Sequence, residues 1–342
     1  MPTLFATDIA DLVVTTLRDL GRLRFQQIAQ SLQDYEIFSK WFRRDKVAFD
    51  SGIGIRRTLM TKTSGAAGHV GLLQEDDVNI PDVLTQLDVD WRHARSSWAF
   101  IYQETLMNRG RAMILNIVEP RRADALLSLV ETLEEAAWSV PASTTAKEPN
   151  GVPYWVVTNA TEGFNGAAPS GHTTVGGITP SAANNWKNWT AQYVNISRSD
   201  LIKKMRTAHR KIRFKSPISI KDYREGRGDR YRLYTNEDVI SGLEDEGSAQ
   251  NENLGRDIAQ LDNTIVFRNH PIVWIPQLDA DTTDPLFMLD HSSFMPVCLK
   301  GDFLRESTAI RSPNQHDVFQ FFVDLTYNYV CVDRRRQAVF YK

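Results

Sequence analysis

The sequence predicts an α+β fold with one long extended arm. Residues 7–42 carry a helical apolar stripe, residues 46–102 read as mostly extended chain, and apolar residues alternate over 318–329 in a strand-rich last third. Spacing of three to four residues is typical of helices, and alternation is typical of strands. With 342 residues, 42% of them hydrophobic, the chain can bury one large core or two smaller ones.

The N-terminal region, residues 1–45, is predicted to be a helical arm. Its apolar stripe runs from Ile9 to Ile28, and Thr7 with Asp8 suits the start of a helix. A second apolar set closes the region at Ile37, Phe38, Trp41 and Phe42.

The stretch 46–102 is predicted to be an arm without a core of its own. From Ile53 to Leu59 the apolar residues fall mostly at every second place, and a flexible Gly- and Ala-rich tip follows at 64–68. Because a two-stranded ribbon alone is marginal in water, the arm has to pack on another part of the chain or on another copy of it. We expect the arm to be disordered in a lone subunit until assembly.

A long helical stretch is predicted from about Gln103 to Trp138, with Pro120 either kinking it or, as we favour, occupying the first turn of its longer half. Glu131, Glu134 and Glu135 are expected on its solvent-facing side. The apolar face is expected to consist of Ala123, Leu126, Leu127, Val130, Leu133 and Ala137.

The rest of the chain alternates loops, helices and strands. Residues 141–197, punctuated by Gly and Pro and containing several Trp, are predicted to form a long loop with contacts supplied by a partner. Two helices are predicted, at Ser197–Lys211 and Glu237–Gln250. The predicted strands are Arg230–Tyr234, Thr264–Phe267, Pro271–Trp274, Leu286–Leu289, Val297–Leu299, Val318–Tyr329 and Gln337–Tyr341.

The sequence contains no recognisable catalytic, cofactor or metal motif. Its glycines match no nucleotide-binding spacing, its seven histidines are dispersed, and Cys298 and Cys331 are predicted to be reduced, buried thiols. The residues 279–284 suit a solvated loop better than a calcium site. The sequence therefore predicts a protein that is not an enzyme and has no catalytic residue, cofactor or metal.

No apolar run reaches the length of about 18 residues that predicts a membrane span, and the N-terminus lacks a secretory signal. We therefore expect no membrane partner and synthesis in a cytoplasm. A net charge of -2 argues against a dedicated nucleic-acid-binding protein. The triplet Arg334–Arg336 beside Asp333 reads as a charged turn.

One basic patch stands out around the predicted helix at 197–211. Such a patch can contact phosphates through charge alone, which makes it a weak candidate for nucleic-acid contact. It can equally complement its own helix dipole and acidic surfaces such as Glu244–Glu246. The candidate residues are Lys203, Lys204, Arg206, Arg210 and Lys211.

Several short segments, taken together with the order of the elements, resemble one known family. The segments are Leu133–Trp138, Gly151–Trp155, Gly163–Gly166, Asn188–Thr190 with Tyr193, Gln250–Gly255 and Asp324–Asn328. In combination they resemble the major capsid proteins of tailed phages that share the Hong Kong 97 fold. The resemblance covers nearly the whole chain, and its specificity lies in the combination and order of the segments.

The resemblance implies a Hong Kong 97-like capsid fold of five parts. They are an N-terminal helical arm (1–45), an extended E-loop with its return strand (46–102), the spine helix with the loop-rich part of the peripheral domain (103–197), the axial domain (198–280), and C-terminal strands that return to the peripheral domain (281–342).

The resemblance also implies a function. The chain would assemble with itself through pentamers and hexamers into an icosahedral shell that encloses the double-stranded DNA of a tailed phage, and it would reside in the virion. Further partners would be scaffolding, portal and decoration proteins. The self-crosslinking lysine and asparagine of the family match no motif here, so we predict no covalent crosslinks.

The E-loop of the family lies over the adjacent subunit, which makes the basic residues of this arm candidates for inter-subunit ion pairs with acidic residues of the spine helix. Charges that are simply solvated on a strand face are the alternative. The candidate contacts are Arg56, Arg57 and Lys62 on the arm, and Glu131, Glu134 and Glu135 on the helix.

Two other functions compete with a phage capsid. An encapsulin-like shell has the same fold and encloses enzyme cargo. A carbohydrate-binding or carbohydrate-active protein would use the Trp-rich segment 151–193, because indole rings stack on sugars. A glycosidase would also need two carboxylates facing a cleft, and Glu162, Asp222 and Glu225 have no motif support.

Overall fold

The computed structural model describes residues 29–65, 67, 69, 82–107, 118–214, 230–250 and 265–342. The predicted stripe Ile9–Ile28, most of residues 66–81 and the segment 251–255 lie outside the described residues.

The described elements follow the predicted α+β order. The helices are α1 (Ile37–Asp45), α2 (Tyr102–Met107), α3 (Val118–Ala137), α4 (Val152–Trp155), α5 (Leu201–Lys211) and α6 (Glu237–Gln250). The strands are β1 (Val47–Phe49), β2 (Gly54–Met60), β3 (Leu84–Asp90), β4 (Arg92–Ile101), β5 (Gly163–Gly166), β6 (Asn188–Gln192), β7 (Tyr231–Thr235), β8 (Val266–Phe267), β9 (His270–Trp274), β10 (Leu286–Asp290), β11 (Phe294–Leu299), β12 (Arg305–Glu306), β13 (Ile310–Ser312), β14 (Gln315–Cys331) and β15 (Ala338–Tyr341).

One sheet is organised around the long strand β14. This strand has 17 residues and pairs antiparallel with β4 from Val318 opposite Ile101 to Tyr327 opposite Arg92. On its other side lies β11, which in turn pairs in parallel with β1. The alternating run predicted at 318–329 is therefore confirmed as one long strand, whose apolar side holds the buried residues Val323, Leu325, Tyr327 and Tyr329.

A second sheet joins segments from the middle and the end of the chain in the order β5-β6-β15-β10-β7-β9-β8. Its pairing places Phe287 of β10 opposite Tyr234 of β7, so the predicted boundary at residue 280 crosses one continuous sheet. The division into domains stays a prediction. The prediction of a long loop over 141–197 is wrong in part, because β5 and β6 belong to this sheet.

Helix α3 begins at Val118, which confirms Pro120 in its first turn. The predicted apolar face is confirmed in part. Leu133 and Ala137 are buried, and the other four predicted residues, Ala123, Leu126, Leu127 and Val130, are half-buried. The further buried positions, Ala125, Leu129 and Glu134, were not predicted.

Helix α1 is wound as a π-helix and packs between the two sheets. Trp41 is fully buried, and its indole Nε1 donates a hydrogen bond to the Tyr234 hydroxyl at 2.8 Å. At the end of the helix the buried Asp45 carboxylate accepts from Arg230 at 3.3 Å and forms an ion pair with Arg232 at 3.0 Å. These contacts fix α1 to strand β7 of the second sheet.

The extended arm has an ordered stem formed by β2 and β3. The two strands pair antiparallel from Gly54 opposite Asp90 to Met60 opposite Leu84. Their inward residues Ile55, Leu87 and Val89 are buried in the main core of the same chain. The expectation that the arm is disordered in a lone subunit is therefore wrong for these two strands.

Gly176, on the loop between β5 and β6, is where the stem contacts this loop. The Asp88 amide donates to the Gly176 carbonyl at 3.0 Å, and φ at Gly176 is +60°. A Cβ atom at this position would lie 2.4 Å from Leu87 Cδ1 and 2.9 Å from Trp155 Cη2. The stem thus docks where the loop has no side chain.

We expect Gly176→Ala to loosen the stem. The free energy of unfolding is expected to fall by about 2–4 kcal/mol, because overpacking adds to the cost of a left-handed backbone. Amide hydrogen exchange over residues 84–90 is expected to become faster, and chemical denaturation gives the change in stability.

Gly177→Ala is the matched control. Gly177 also has a positive φ, of +77°, but the nearest atom to an added Cβ lies at 3.6 Å, which is ordinary contact. Only the backbone cost of about 1–2 kcal/mol is expected there. Equal effects of the two substitutions would show that the close approach of Leu87 is not what docks the stem.

Candidate assembly surfaces

Arg334 is the buried centre that holds the loop-rich segment in place. Its guanidinium donates to the carbonyl oxygens of Trp155 at 2.7 Å, Trp186 at 2.9 Å and Ala167 at 2.7 Å. It also reaches the Gly166 carbonyl and the Asn188 side-chain oxygen, each at 3.2 Å. Burial lowers the pKa of Arg334 to about 10. One side chain near the end of the chain therefore fixes three separate parts of the segment 151–193.

Two buried asparagines extend this fixation. The Asn188 amide accepts from Val157 N at 3.0 Å and donates to Val157 O at 2.9 Å, so it pairs with backbone as a strand residue would. The Asn328 side-chain oxygen accepts from Asn150 N at 2.9 Å, and its amide nitrogen donates to Asp90 O at 2.7 Å. Asn328 thus joins the base of the arm to β14.

Glu134 binds the N-terminal segment of its own chain. Its Oε1 accepts from the Phe38 amide at 2.9 Å, and the side chain is only 2% exposed. Burial raises the pKa of Glu134 to about 8. The prediction that Glu134 faces solvent is therefore wrong, because its carboxyl group satisfies the unpaired amide at the start of α1.

Glu131 and Glu135 differ from Glu134. The Glu131 carboxylate accepts from Ser31 N at 2.8 Å and from the Tyr35 hydroxyl at 3.1 Å, and the backbone hydrogen bond from Ser31 lowers its pKa. Glu135 is exposed. Of the three predicted acidic contacts, two thus hold residues 31–38 of their own chain and one faces solvent.

The basic residues predicted for the arm lie on or beside β2. Arg56 forms an ion pair with Asp88 of β3 at 3.3 Å, and since both groups are exposed the pair contributes little stability. Lys62 is exposed, and Arg57 lines a cleft of about 200 Å³ under the arm with Ser292 and Arg335. The inter-subunit pairing of Arg56, Arg57 and Lys62 with Glu131, Glu134 and Glu135 stays a prediction.

The residues of the predicted basic patch have two different environments on α5. Lys204 forms an ion pair with Asp200 and donates to the Gln192 carbonyl at 2.6 Å, so it fixes the start of the helix. Lys203, Arg210 and Lys211 are exposed, and Arg206 is half-buried. The exposed part of the patch therefore lies along α5 and at its C-terminal end.

The aromatic residues of segment 151–193 face the core. Trp155, Trp186 and Trp189 are buried, and the Trp186 indole donates to the Val175 carbonyl at 2.9 Å. An indole that stacks on a sugar needs an exposed face. The suggestion that these residues bind carbohydrate is therefore wrong.

The two cysteines are free and buried, as predicted. Burial raises the pKa of the Cys298 thiol to about 12, which keeps it protonated and unreactive. Within the described ranges, no three His, Cys, Asp or Glu side chains come together as metal ligands. Among the described helices, none has the length and apolar character needed to cross a membrane.

Several solved structures share this architecture. The chain is similar to a chain of the cyanophage A-1(L) capsid asymmetric unit, with 13% identity and a TM-score of 0.65 over 94% of this chain and 96% of that chain. It is similar to the capsid of a native GTA particle, with 10% identity and a TM-score of 0.58 over 95% of both chains. A chain of Gordonia phage Cozz has 11% identity and a TM-score of 0.52 over 95% of this chain and 90% of its own.

No family model and no curated protein sequence matches the chain. The structural likeness nevertheless defines the fold, which is the one found in the cyanophage A-1(L) and GTA capsid chains. More particularly, it is the Hong Kong 97 fold of tailed-phage capsid proteins, which confirms the fold that the sequence resemblance implied.

We expect Glu134→Gln to change how stability depends on pH. The pKa of Glu134 is about 8 in the folded chain against an ordinary value of 4.5, so between these values the folded state holds a proton that the unfolded state releases. The stabilisation by this proton is complete below pH 4.5 and is lost as the pH rises through about 8. Glutamine is neutral at every pH, so the variant is expected to lose this part of the slope.

Urea unfolding from pH 5 to pH 9 measures the effect. The free energy of unfolding of the variant is expected to exceed that of the original protein above pH 8, where Glu134 has to be charged. The exposed neighbour, in Glu135→Gln, is the control and is expected to leave the slope unchanged. Identical slopes for Glu134→Gln and the original protein would contradict this role of burial.

Proposed function

We propose that this chain is the major capsid protein of a tailed phage. It assembles with copies of itself through pentamers and hexamers into an icosahedral shell around double-stranded DNA. The observation that carries the proposal is the structural likeness to capsid subunits over nearly the whole chain. Because the sequence identities are low, the likeness supports the function through the fold.

The surface of the arm supports self-assembly. Ile53, Met60 and Leu84 are large apolar residues at the two ends of the stem, and all three are exposed. Both strands of the stem also have an outer edge without a strand partner among the described residues. Exposed apolar groups and open strand edges favour contact with another chain.

The same proposal assigns partners and location. The partners are other copies of the chain, packaged DNA, and scaffolding, portal and decoration proteins. The protein assembles in the host cytoplasm and ends in the virion, and its role is structural and not enzymatic. An encapsulin-like shell with enzyme cargo shares the fold, so the content of the particles distinguishes the two.

Assembly of the full chain tests the proposal. The protein is expressed with and without the neighbouring genes of its operon and is analysed by negative-stain microscopy and sedimentation. Closed polyhedral particles, or pentamers and hexamers, are expected. Nuclease-protected DNA in particles made with the neighbouring genes supports a phage capsid, and a bound enzyme supports the encapsulin alternative. A monomer under all conditions would contradict a shell function.

We expect reversal of the arm charges, in Arg56→Glu with Arg57→Glu, to impair shell formation while the subunit stays folded. Loss of complementary charge at a subunit contact slows association and weakens specificity. Particle yield by sedimentation measures the effect, and circular dichroism reports the fold. Arg56→Lys with Arg57→Lys keeps the charges and is expected to assemble. Intact shells at normal yield from the reversed variant would refute the pairing.

A further inference from the structure

Two neighbouring helices on the second sheet carry opposite charge. Helix α5 has no Asp or Glu within Leu201–Lys211, and helix α6 has no Lys or Arg within Glu237–Gln250. The basic residues of α5 are Lys203, Lys204, Arg206, Arg210 and Lys211. The acidic residues of α6 are Glu237, Asp238, Glu244, Asp245 and Glu246.

Both helices turn their charged sides away from the same core. Leu201, Met205 and Ala208 of α5 are buried together with Val239 and Leu243 of α6 in one apolar cluster. The charged residues lie between these positions along each helix, on the outer side. The surface of this layer is therefore basic along one helix and acidic along the other.

The two charged surfaces do not lie over the same strands. Helix α5 packs against β15 and helix α6 against β9, and β10 and β7 lie between these strands in the sheet. Three strand steps correspond to roughly 14 Å. A subunit thus presents a basic surface and an acidic surface at separate places on one layer.

Four of the five basic residues of α5 form no ion pair within the described chain. Lys204 pairs with Asp200, whereas Lys203, Arg206, Arg210 and Lys211 form no ion pair with a described residue. The helix dipole stabilises basic residues at the C-terminal end of a helix, so Arg210 and Lys211 are compatible with α5 itself.

Helix α6 carries three consecutive acids. Glu244, Asp245 and Glu246 lie in its second half. Glu244 and Asp245 are both exposed. These acids give this part of the surface a negative potential, which a basic partner surface complements.

We propose that α5 of one subunit docks on α6 of the next subunit around a ring. The proposal rests on the proposed function, because it needs a ring of identical copies. In such a ring every contact is heterologous, so each subunit offers its basic helix to one neighbour and its acidic helix to the other. Complementary charge of this kind fixes the order and register of partners more than it adds affinity.

Charge reversal on either helix tests the docking. Arg206→Glu with Arg210→Glu, and separately Glu244→Lys with Asp245→Lys, each place like charges across the contact. We expect each double variant to need at least about tenfold more protein for ring or shell assembly than the original chain. Arg206→Lys with Arg210→Lys keeps the charge, and this control is expected to assemble normally.

Combining the two charge reversals in one chain is expected to restore assembly. In the chain with all four substitutions, acids at positions 206 and 210 of α5 again meet lysines at positions 244 and 245 of α6, so the substituted positions are complementary again. We expect its assembly concentration to return to within about threefold of the original. Circular dichroism and urea unfolding show whether each variant is folded. Failure of the folded combined variant to assemble would overturn the docking.

A mixture of the two double variants gives a geometric test. Within each double variant, the substituted helix of one copy meets like charges on the next copy, so the contact is disfavoured. A copy of one variant and a copy of the other have opposite charges at the substituted positions, so the two variants can alternate around a ring. Alternation closes only with an even number of subunits, so an equimolar mixture is expected to form hexamers and no pentamers by native mass spectrometry. Pentamers and hexamers in the proportions of the original protein would overturn the docking.

Packaged DNA is the other partner that the basic surface of α5 could contact. In that case Arg206→Glu with Arg210→Glu would assemble at the normal concentration, its particles would hold less DNA, and the combined variant would show no rescue. This result would overturn the docking and leave the capsid function intact. Absence of assembly by the original chain would instead overturn the proposed function itself.

Discussion

The rest of the structure depends on the buried guanidinium of Arg334. A charge inside a protein is tolerated only when hydrogen bonds replace its lost hydration, and Arg334 donates five such bonds to neutral oxygens. Those oxygens belong to a segment that has few strands or helices of its own. The same segment carries Gly176, which receives Leu87 and Asp88 of the arm. The position of the arm therefore follows from one side chain near the opposite end of the sequence.

The parts that extend from the subunit are all fixed at their bases by contacts within the chain. Asn328 binds Asp90 at the base of the arm, and Glu134 binds the first turn of α1. At the far end of the stem, Met60 and Leu84 are exposed. A rigid base reduces the conformational entropy that is lost when the rest of the arm is ordered against a neighbour. Contacts within the chain thus hold the base of the arm, and in the proposed shell a neighbouring copy would hold the rest.

Local patterns in the sequence were sufficient where local interactions decide the structure. The bounds of α6 and the long strand β14 were predicted closely, because helical spacing and alternation are properties of neighbouring residues. Long-range contacts could not be predicted. Arg334 stands among three arginines beside Asp333, a pattern typical of a surface turn, and Glu134 has a charge that pattern analysis places in solvent. The basic patch on α5 was found, but the separate use of Lys204 depends on Asp200 and Gln192 in three dimensions.

The position of strand β15 determines when the second sheet can fold during synthesis of the chain. It lies inside the second sheet, in parallel with β6 on one side and antiparallel to β10 on the other, with Val339 opposite both Thr190 and Phe287. Until the ribosome has synthesised residues 338–341, the edges of β6 and β10 stay open and the sheet remains in two pieces. Pairings so distant in sequence form late in folding. A nascent chain therefore cannot complete this sheet before residues 338–341 have left the ribosome.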